Sequence, residues 1–173
     1  MVSVREGDAI VRAGAHAAGL AANSAWYGGD VVALSAGTAG ATLLRWELTA
    51  ESAAPGGLTG PGVTSSATLA HAVELRHRDG LLMRCDRVDF PPGGIAYTHV
   101  HRGPGIRCLL AGNLRVEVNG KARDIAPGGA WFEAGPDPVL ALASKTGPTA
   151  FVRVVILPDR SADDDAPTDD EGD

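Results

Sequence analysis

The residues best suited to chemistry lie between Tyr97 and Arg107. Tyr97, His99 and His101 are spaced two apart, so on a strand their side chains project from one face, about 6.6 to 6.8 Å apart along the backbone. Two imidazoles placed in this way can bind one ion, each through a nitrogen at about 2.0 to 2.1 Å. The spacing predicts a metal held by His99 and His101. A pair of hydrogen-bonded core histidines is the competing interpretation.

Arg107 follows these histidines after a turn at residues 103–105 and is a second candidate for a functional role, as a binder of an anion. If the strands on either side of the turn are neighbours in a barrel, Arg107 points into the interior. A buried guanidinium without a partner costs several kcal/mol, so the residue needs an anion. A substrate carboxylate, bound in bidentate geometry, and an internal Asp or Glu both meet that need. Tyr97 is either a proton donor, a metal ligand or a wall residue.

The elements that must position these residues are short strands. Between Val31 and Leu157 the chain is a series of apolar or alternating runs, each ended by Gly, Pro or Asp, with Asp79-Gly80 and Asn119-Gly120 as turns. This pattern predicts an antiparallel sandwich or barrel. The predicted strands are residues 30–34, 41–49, 68–76, 81–90, 95–101, 106–111, 114–118, 130–134, 139–143 and 150–157.

Two segments favour other structures. The Ala-rich residues 13–25 are the best candidate for a helix, although Gly14 and Gly19 weaken it by about 1 kcal/mol each relative to Ala. Along the predicted strand 81–90, the charges of Arg84, Asp86, Arg87 and Asp89 indicate a ladder of surface ion pairs, which is worth little for each pair.

The stretch from Gly93 to Pro136 resembles the two motifs of the cupin superfamily. Gly93, His99, His101 and Gly112 fill the first motif in register; in the second, Gly120, Pro127 and Gly129 match with one extra residue after Gly120. The resemblance implies an all-β, single-domain cupin, a double-stranded β-helix or jelly-roll barrel. It implies an N-terminal extension (1–40) before the barrel (41–158). Residues 159–173 have almost nothing to bury, so we expect them to form a disordered acidic tail.

The chain also departs from these motifs at the metal ligands. Gly105 stands where cupins place a Glu, Phe132 where they place a third His, and Pro136 where they place an Asn. A site with an open position needs at least three protein ligands, so another side chain would have to contribute. The candidates are Tyr97, Glu133, His71, Glu74 and His77. The motif alignment puts Phe132 inside the barrel and Trp131 outside, which turns Glu133 outward unless a bulge intervenes.

The resemblance implies a cupin that binds a divalent metal through His99 and His101 together with a small organic molecule, which we expect to be anionic. Fe, Mn, Ni and Zn are not distinguishable. As an enzyme it would be a dioxygenase, lyase or isomerase, with Arg107 holding a substrate carboxylate and Tyr97 transferring a proton. Two alternatives are a non-catalytic binding protein and a metal-free isomerase or epimerase whose catalytic His needs a carboxylate to orient it. Cupins usually associate as dimers, so we expect a homodimer.

Charge and composition exclude several other classes. The chain of 173 residues has a net charge of −6, but residues 159–173 hold eight acidic residues and one basic residue, whereas residues 1–158 hold 14 basic and 13 acidic ones. A neutral body gives no electrostatic case for nucleic-acid binding. Because no apolar run reaches about 18 residues and no secretory pattern opens the chain, we expect a cytoplasmic protein without membrane contact. The two cysteines are too few for a disulfide scaffold.

Overall fold

The protein is built from antiparallel strands. A computed structural model describes residues 1–29, 32–50, 52–53, 56–75 and 80–158, and none of these residues is helical. The all-β fold class is therefore confirmed for this part of the chain. His77 and the predicted acidic tail at 159–173 lie outside the described residues. The chain divides into two compact units, Met1–Ala54 and Pro55–Asp173.

The second unit contains eight of the described strands in two four-stranded sheets. The strands are β5 (Leu81–Phe90), β6 (Ile95–His99), β7 (Gly105–Ala111), β8 (Leu114–Val118), β9 (Lys121–Ile125), β10 (Ala130–Glu133), β11 (Val139–Ala143) and β12 (Thr149–Pro158). Their order is β10-β7-β12-β5 in one sheet and β6-β11-β8-β9 in the other. Every connection except the β8–β9 hairpin passes from one sheet to the other, which is the strand order of a jelly roll.

The core of this unit lies between the two sheets. It combines Leu109 and Phe151 from one sheet with Leu114 and Val139 from the other, and Leu109, Leu114 and Val139 are at most 2% exposed. Trp131 meets the ring of Phe151 edge-on, with centroids 5.3 Å apart, a favoured aromatic geometry. Alternate residues on each strand therefore face the interior. The candidate site lies beyond this core, at the following inward-facing positions of β5, β7, β10 and β12.

The predicted turn at Asn119-Gly120 is confirmed. It joins β8 to β9 with Val118 opposite Lys121, and both turn residues have positive φ (50° and 73°). Asn and Gly adopt that conformation at low cost, and it matches the twist of the paired strands. The predicted strand at 68–76 is wrong over its described part, because residues 68–75 form no strand.

The first unit is a separate antiparallel sheet. The long strand β1 (Val2–Ala13) pairs with β2 (His16–Ala21), β3 (Ala25–Trp26) and β4 (Ala33–Arg45). Its core is small: Val4, Ala9, Val11 and Leu20. The helix predicted over residues 13–25 is therefore wrong. Pairing with β1, from Ala13 opposite His16 to Asp8 opposite Ala21, outweighs the helix propensity of alanine, which Gly14 and Gly19 weaken.

The boundaries of this unit also differ from the sequence-based division. The predicted boundary between residues 40 and 41 falls inside β4, and the compact unit ends at Ala54. No helix among the described residues is long and apolar enough to span a membrane.

Candidate ligand site in the barrel

The interior of the second unit is layered, and the layers follow from the strand register. Beyond the apolar core, one row across the sheet pairs Trp131 with Arg107, Arg107 with Arg153, and Arg153 with Asp86. The next row on the same face of the sheet lies two residues further from the core along each strand. It pairs Glu133 with Gly105, Gly105 with Val155, and Val155 with Arg84. Together these rows place the charged side chains Arg84, Asp86, Arg107, Glu133 and Arg153 in one layer, here called the charged layer.

Trp131 and Glu133 face the interior, so the parity expected for β10 is wrong. Trp131 is 3% exposed and Glu133 is 7% exposed, whereas Phe132 between them is half-buried. Phe132 instead stacks on the ring of His71, with centroids 3.7 Å apart and planes 9° apart. The motif alignment put Phe132 in the place of an inward ligand, but the strand register with β7 turns its two neighbours inward. Glu133 thus reaches the interior without a bulge.

Glu133 is the centre of a buried polar network. Its Oε1 accepts a hydrogen bond of 2.7 Å from Trp131 Nε1, and its Oε2 lies 2.9 Å from His101 Nε2. Arg107 Nη2 lies 2.7 Å from the same Oε2, as an ion pair that is off the alignment of a hydrogen bond. Burial raises the pKa of Glu133, but His101, Arg107 and Trp131 outweigh that effect, and the net pKa lies below its ordinary value.

Arg107 is held inside the barrel by protein groups. Its side chain is 1% exposed, its Nη1 donates to the Gly105 carbonyl at 2.7 Å, and its Nη2 pairs with Glu133. Burial lowers the pKa of Arg107 to about 10, against the opposing effect of Glu133. Glu133 is the internal carboxylate that the sequence left open as one of two partners for Arg107. Arg107 does not line the cavity described below.

Gly105 shows why the carboxylate comes from a neighbouring strand. A Cβ on Gly105 would overlap the Val154 carbonyl oxygen and would lie 2.9 Å from Val155 Cγ1, so β7 and β12 approach too closely for any side chain at this position. Glu133 is the register partner of Gly105 on β10. The carboxylate that the first motif lacks at Gly105 is thus supplied from directly across the sheet.

A half-open cavity of about 490 Å³ is lined in part by Arg84 and Arg153 of the charged layer. Its lining includes three arginines and one histidine but no Asp or Glu: Leu82, Arg84, Val100, His101, Arg102, Gly103, Arg153, Val155, Leu157 and Pro158. Pockets of this volume hold small organic molecules in other proteins.

The arginines of this cavity retain free donors. Arg84 Nε and Arg153 Nε both donate to one oxygen of Asp86, at 3.0 and 3.2 Å. Their terminal nitrogens have no hydrogen-bond partner among the described residues, and Arg102 is exposed without an acidic partner there. Asp86 offsets only one of the three positive charges, so the cavity is electropositive.

Both ion pairs expected along β5 are present, Arg84 with Asp86 at 3.0 Å and Arg87 with Asp89 at 2.8 Å, but they lie on opposite faces of the strand. Arg84 and Asp86 share the parity of Val88 and Phe90, which pack against the core. The alternation with Val88 and Phe90 was the signal that could have placed Arg84 and Asp86 on the face that continues from the core. Arg153, on the inward parity of Phe151, carried the same signal.

His99 and His101 are close, as their spacing predicts. Their rings meet edge-on with centroids 4.7 Å apart. His99 Nδ1 lies 2.7 Å from the Tyr97 carbonyl, and His101 Nε2 contacts Glu133, so one nitrogen of each ring is engaged by a protein acceptor. Tyr97 is 78% exposed and does not line the cavity.

These residues do not form a site for a tightly held metal ion. The described residues contain no group of three or more His, Cys, Asp or Glu side chains that could hold one. Glu133 is committed to Arg107 and to the engaged nitrogen of His101, which leaves two imidazole nitrogens where at least three protein ligands are needed. Among the other candidates, His71 stacks on Phe132, Glu74 is exposed and His77 is outside the described residues.

Comparison with known proteins finds partial structural similarity. One similar structure is that of the DMSP lyases RdDddP and RnDddQII, with 16% sequence identity and a TM-score of 0.40; the match covers 42% of this chain and 37% of that one. Another is a predicted oxalate decarboxylase from Thermotoga maritima, with 27% sequence identity and a TM-score of 0.38; the match covers 42% of this chain and 64% of that one. A third is an RmlC-like cupin from Shewanella frigidimarina NCIMB 400, with 15% sequence identity and a TM-score of 0.41; the match covers 54% of this chain and 96% of that one.

The chain spans less than two thirds of the length of the first two of these proteins. No family model matches the sequence, and no curated protein matches it. The jelly-roll assignment rests on the strand order of the second unit, which is the fold that the cupin motifs imply.

Proposed function

We propose that the second unit binds a small organic anion in its barrel. The observation that carries the proposal is the lining of the cavity, which has Arg84, Arg102, Arg153 and His101 but no acidic side chain. Guanidinium groups with free terminal nitrogens match the geometry of a carboxylate and bind it with paired hydrogen bonds. The anion-binding role expected of Arg107 passes to these residues, because Glu133 already neutralises Arg107.

Calorimetric titration with short carboxylates tests this proposal. We expect the Arg84→Gln variant to weaken binding about tenfold, since a charged hydrogen bond contributes about 1.5 to 3 kcal/mol. The Arg102→Gln variant should weaken binding about two- to fivefold, because Arg102 is exposed and, unlike Arg84, is not held in place by Asp86. Arg115→Gln is the matched control, because Arg115 is an exposed arginine of β8 that pairs with Glu117 outside the cavity. Equal affinities in all four proteins, or no binding of any carboxylate, would contradict the proposal.

A second candidate function is proton transfer by His101. The metal-free alternative requires a carboxylate that orients the catalytic imidazole, and Glu133 is such a group, at 2.9 Å from His101 Nε2 and itself fixed by Trp131. His101 also lines the cavity, and its Nδ1 has no partner among the described residues. An imidazole held in this way would take a proton from a carbon next to the bound carboxylate. Tyr97, at 78% exposure, gives no support to its expected role as the acid.

Deuterium exchange at the α-carbon of a bound acid, followed by NMR in D₂O, tests this second function. Exchange should be lost in His101→Gln and kept in His99→Gln, because only His101 contacts Glu133. If exchange persisted in His101→Gln, or if the parent protein exchanged the α-proton of no acid tested, proton transfer by His101 would be contradicted and only the binding function would remain.

A further inference from the structure

The cavity changes from charged to apolar between its floor and its rim. On β5 and β12 the inward side chains are register pairs: Arg153 with Asp86, then Val155 with Arg84, then Leu157 with Leu82. Each step moves about 6.6 to 6.8 Å along the strands. The first pair adjoins the core, because the preceding pair, Phe151 with Val88, packs within the hydrophobic cluster.

The rim consists of apolar side chains that are open to solvent. Leu82 is 50% exposed and Val100 is 60% exposed, and Leu157 and Pro158 are half-buried beside them. All four line the cavity. Leucine and valine at the entrance of a cavity whose floor is charged give that cavity two chemically different ends. A ligand that contacts only the floor would leave the rim exposed.

We infer that the ligand is an amphipathic acid, whose carboxylate lies at Arg84 and Arg153 on the floor and whose apolar chain extends to Leu82, Leu157 and Val100 at the rim. The inference rests on the proposed function and adds the class of ligand to it. Arg153 lies two register steps from Leu157, about 13 Å, and Arg84 lies one step from Leu82, about 6.7 Å. The cavity holds about 490 Å³. A straight-chain fatty acid of six to eight carbons has suitable chemistry at both ends.

Chain length is the variable that separates this inference from simple anion binding. We expect octanoate to bind the parent protein at least ten times more tightly than butanoate, because each fully buried methylene adds about fourfold in affinity. Octanol, which has the chain without the charge, should bind at least ten times more weakly than octanoate. Equal affinities for butanoate and octanoate would overturn the inference but leave the proposed function intact. No binding of any acid would overturn both.

Two rim variants locate the apolar chain. Leu82→Ser should weaken octanoate binding about threefold or more and leave butanoate binding unchanged. Ile95→Ser is the matched control, because Ile95 is 45% exposed, lies on β6 and does not line the cavity. Equal losses in the two variants would overturn the placement of the chain at the rim.

Two arginine variants locate the carboxylate. For octanoate, Arg84→Gln should cost more affinity than Arg102→Gln, because Asp86 holds the guanidinium of Arg84 in place, whereas no acidic side chain of the described residues holds Arg102. The opposite order would place the carboxylate at the rim and overturn the proposed orientation, even if octanoate binding itself is strong.

Discussion

At the scale of single residues, the structure explains how the interior balances its charge. Glu133 pairs with Arg107 and His101 and accepts a hydrogen bond from Trp131, so each of its oxygens has a partner at short distance. The sequence identified His101 and Arg107 by type and spacing, and it named the internal carboxylate as one of two partners for Arg107. It did not identify Glu133 as that carboxylate, because the motif alignment reversed the parity of β10.

Replacing Glu133 should destabilise the protein strongly. We expect Glu133→Gln to lower the free energy of unfolding at pH 7 by about 3 kcal/mol, because it leaves the buried guanidinium of Arg107 uncompensated. Glu117→Gln, which breaks the exposed pair with Arg115, should cost less than about 1 kcal/mol. Urea denaturation of the two variants and the parent measures the difference. Similar losses in both variants would contradict the account of the network.

The same network predicts a pH dependence with a defined sign. The folded-state pKa of Glu133 lies below its ordinary value of 4.5, so the stability that the carboxylate contributes is present above about pH 4.5 and is lost as the pH falls through the folded-state pKa. Glu133→Gln has no such proton to bind. The difference in unfolding free energy between parent and variant should therefore narrow from pH 6 to pH 3. A difference that stays constant or widens over this range would refute the assignment.

At the scale of elements, the strands of the second unit were predicted well and the others were not. Residues 81–90, 114–118 and 139–143 coincide with β5, β8 and β11, because alternation and turn residues define short antiparallel strands locally. There are two exceptions among the described residues of this unit. The strand predicted at 68–76 does not form over residues 68–75, and β9 was missed, since all but one of its residues are exposed and its sequence lacks the apolar positions that mark a strand. The helix predicted at 13–25 was wrong because pairing with a distant strand decides the structure of an alanine-rich segment.

Gly105 is the position at which β7 and β12 approach too closely for a side chain, whereas the sequence analysis identified it only as a missing metal ligand. We expect Gly105→Ala to destabilise the protein by about 1 to 3 kcal/mol, because its Cβ would force β7 away from the Val154 carbonyl of β12. Gly147→Ala, in a loop where an added Cβ meets nothing within 4 Å, is the control and should change stability by less than about 0.5 kcal/mol. Thermal unfolding monitored by circular dichroism compares them. An unchanged midpoint for Gly105→Ala would show that the two strands can separate without cost.

At the scale of the whole molecule, the net charge and the charge of the site have opposite signs. The chain carries −6, yet the cavity is lined by three arginines and no acidic residue. The sequence assigns a net charge of −7 to residues 159–173 and +1 to residues 1–158, which is compatible with a cationic site in the second unit. It did not reveal which arginines form that site, because this depends on the register of β5 and β12, which distant parts of the sequence set.

The response of binding to salt tests which of these charges the ligand experiences. We expect the Kd for hexanoate to rise between about 50 and 500 mM NaCl, because added ions screen the attraction of the nearby guanidinium groups. If the overall charge of the chain dominated, screening would remove a repulsion and the Kd would fall. Hexanamide, which has no charge, should bind with the same affinity at both salt concentrations. A falling Kd for hexanoate would contradict a locally cationic site.

The most direct test of the central claim is a crystal structure of the protein soaked with hexanoate. The account predicts one hexanoate inside the barrel, with its carboxylate oxygens within about 3.2 Å of terminal nitrogens of Arg84 or Arg153 and its chain against Leu82 and Leu157. Glu133 should keep its contacts with Arg107 and His101. A carboxylate bound instead to Arg107, or to a metal ion held by His99 and His101, would contradict the account, as would an empty cavity at ligand concentrations that saturate binding in solution.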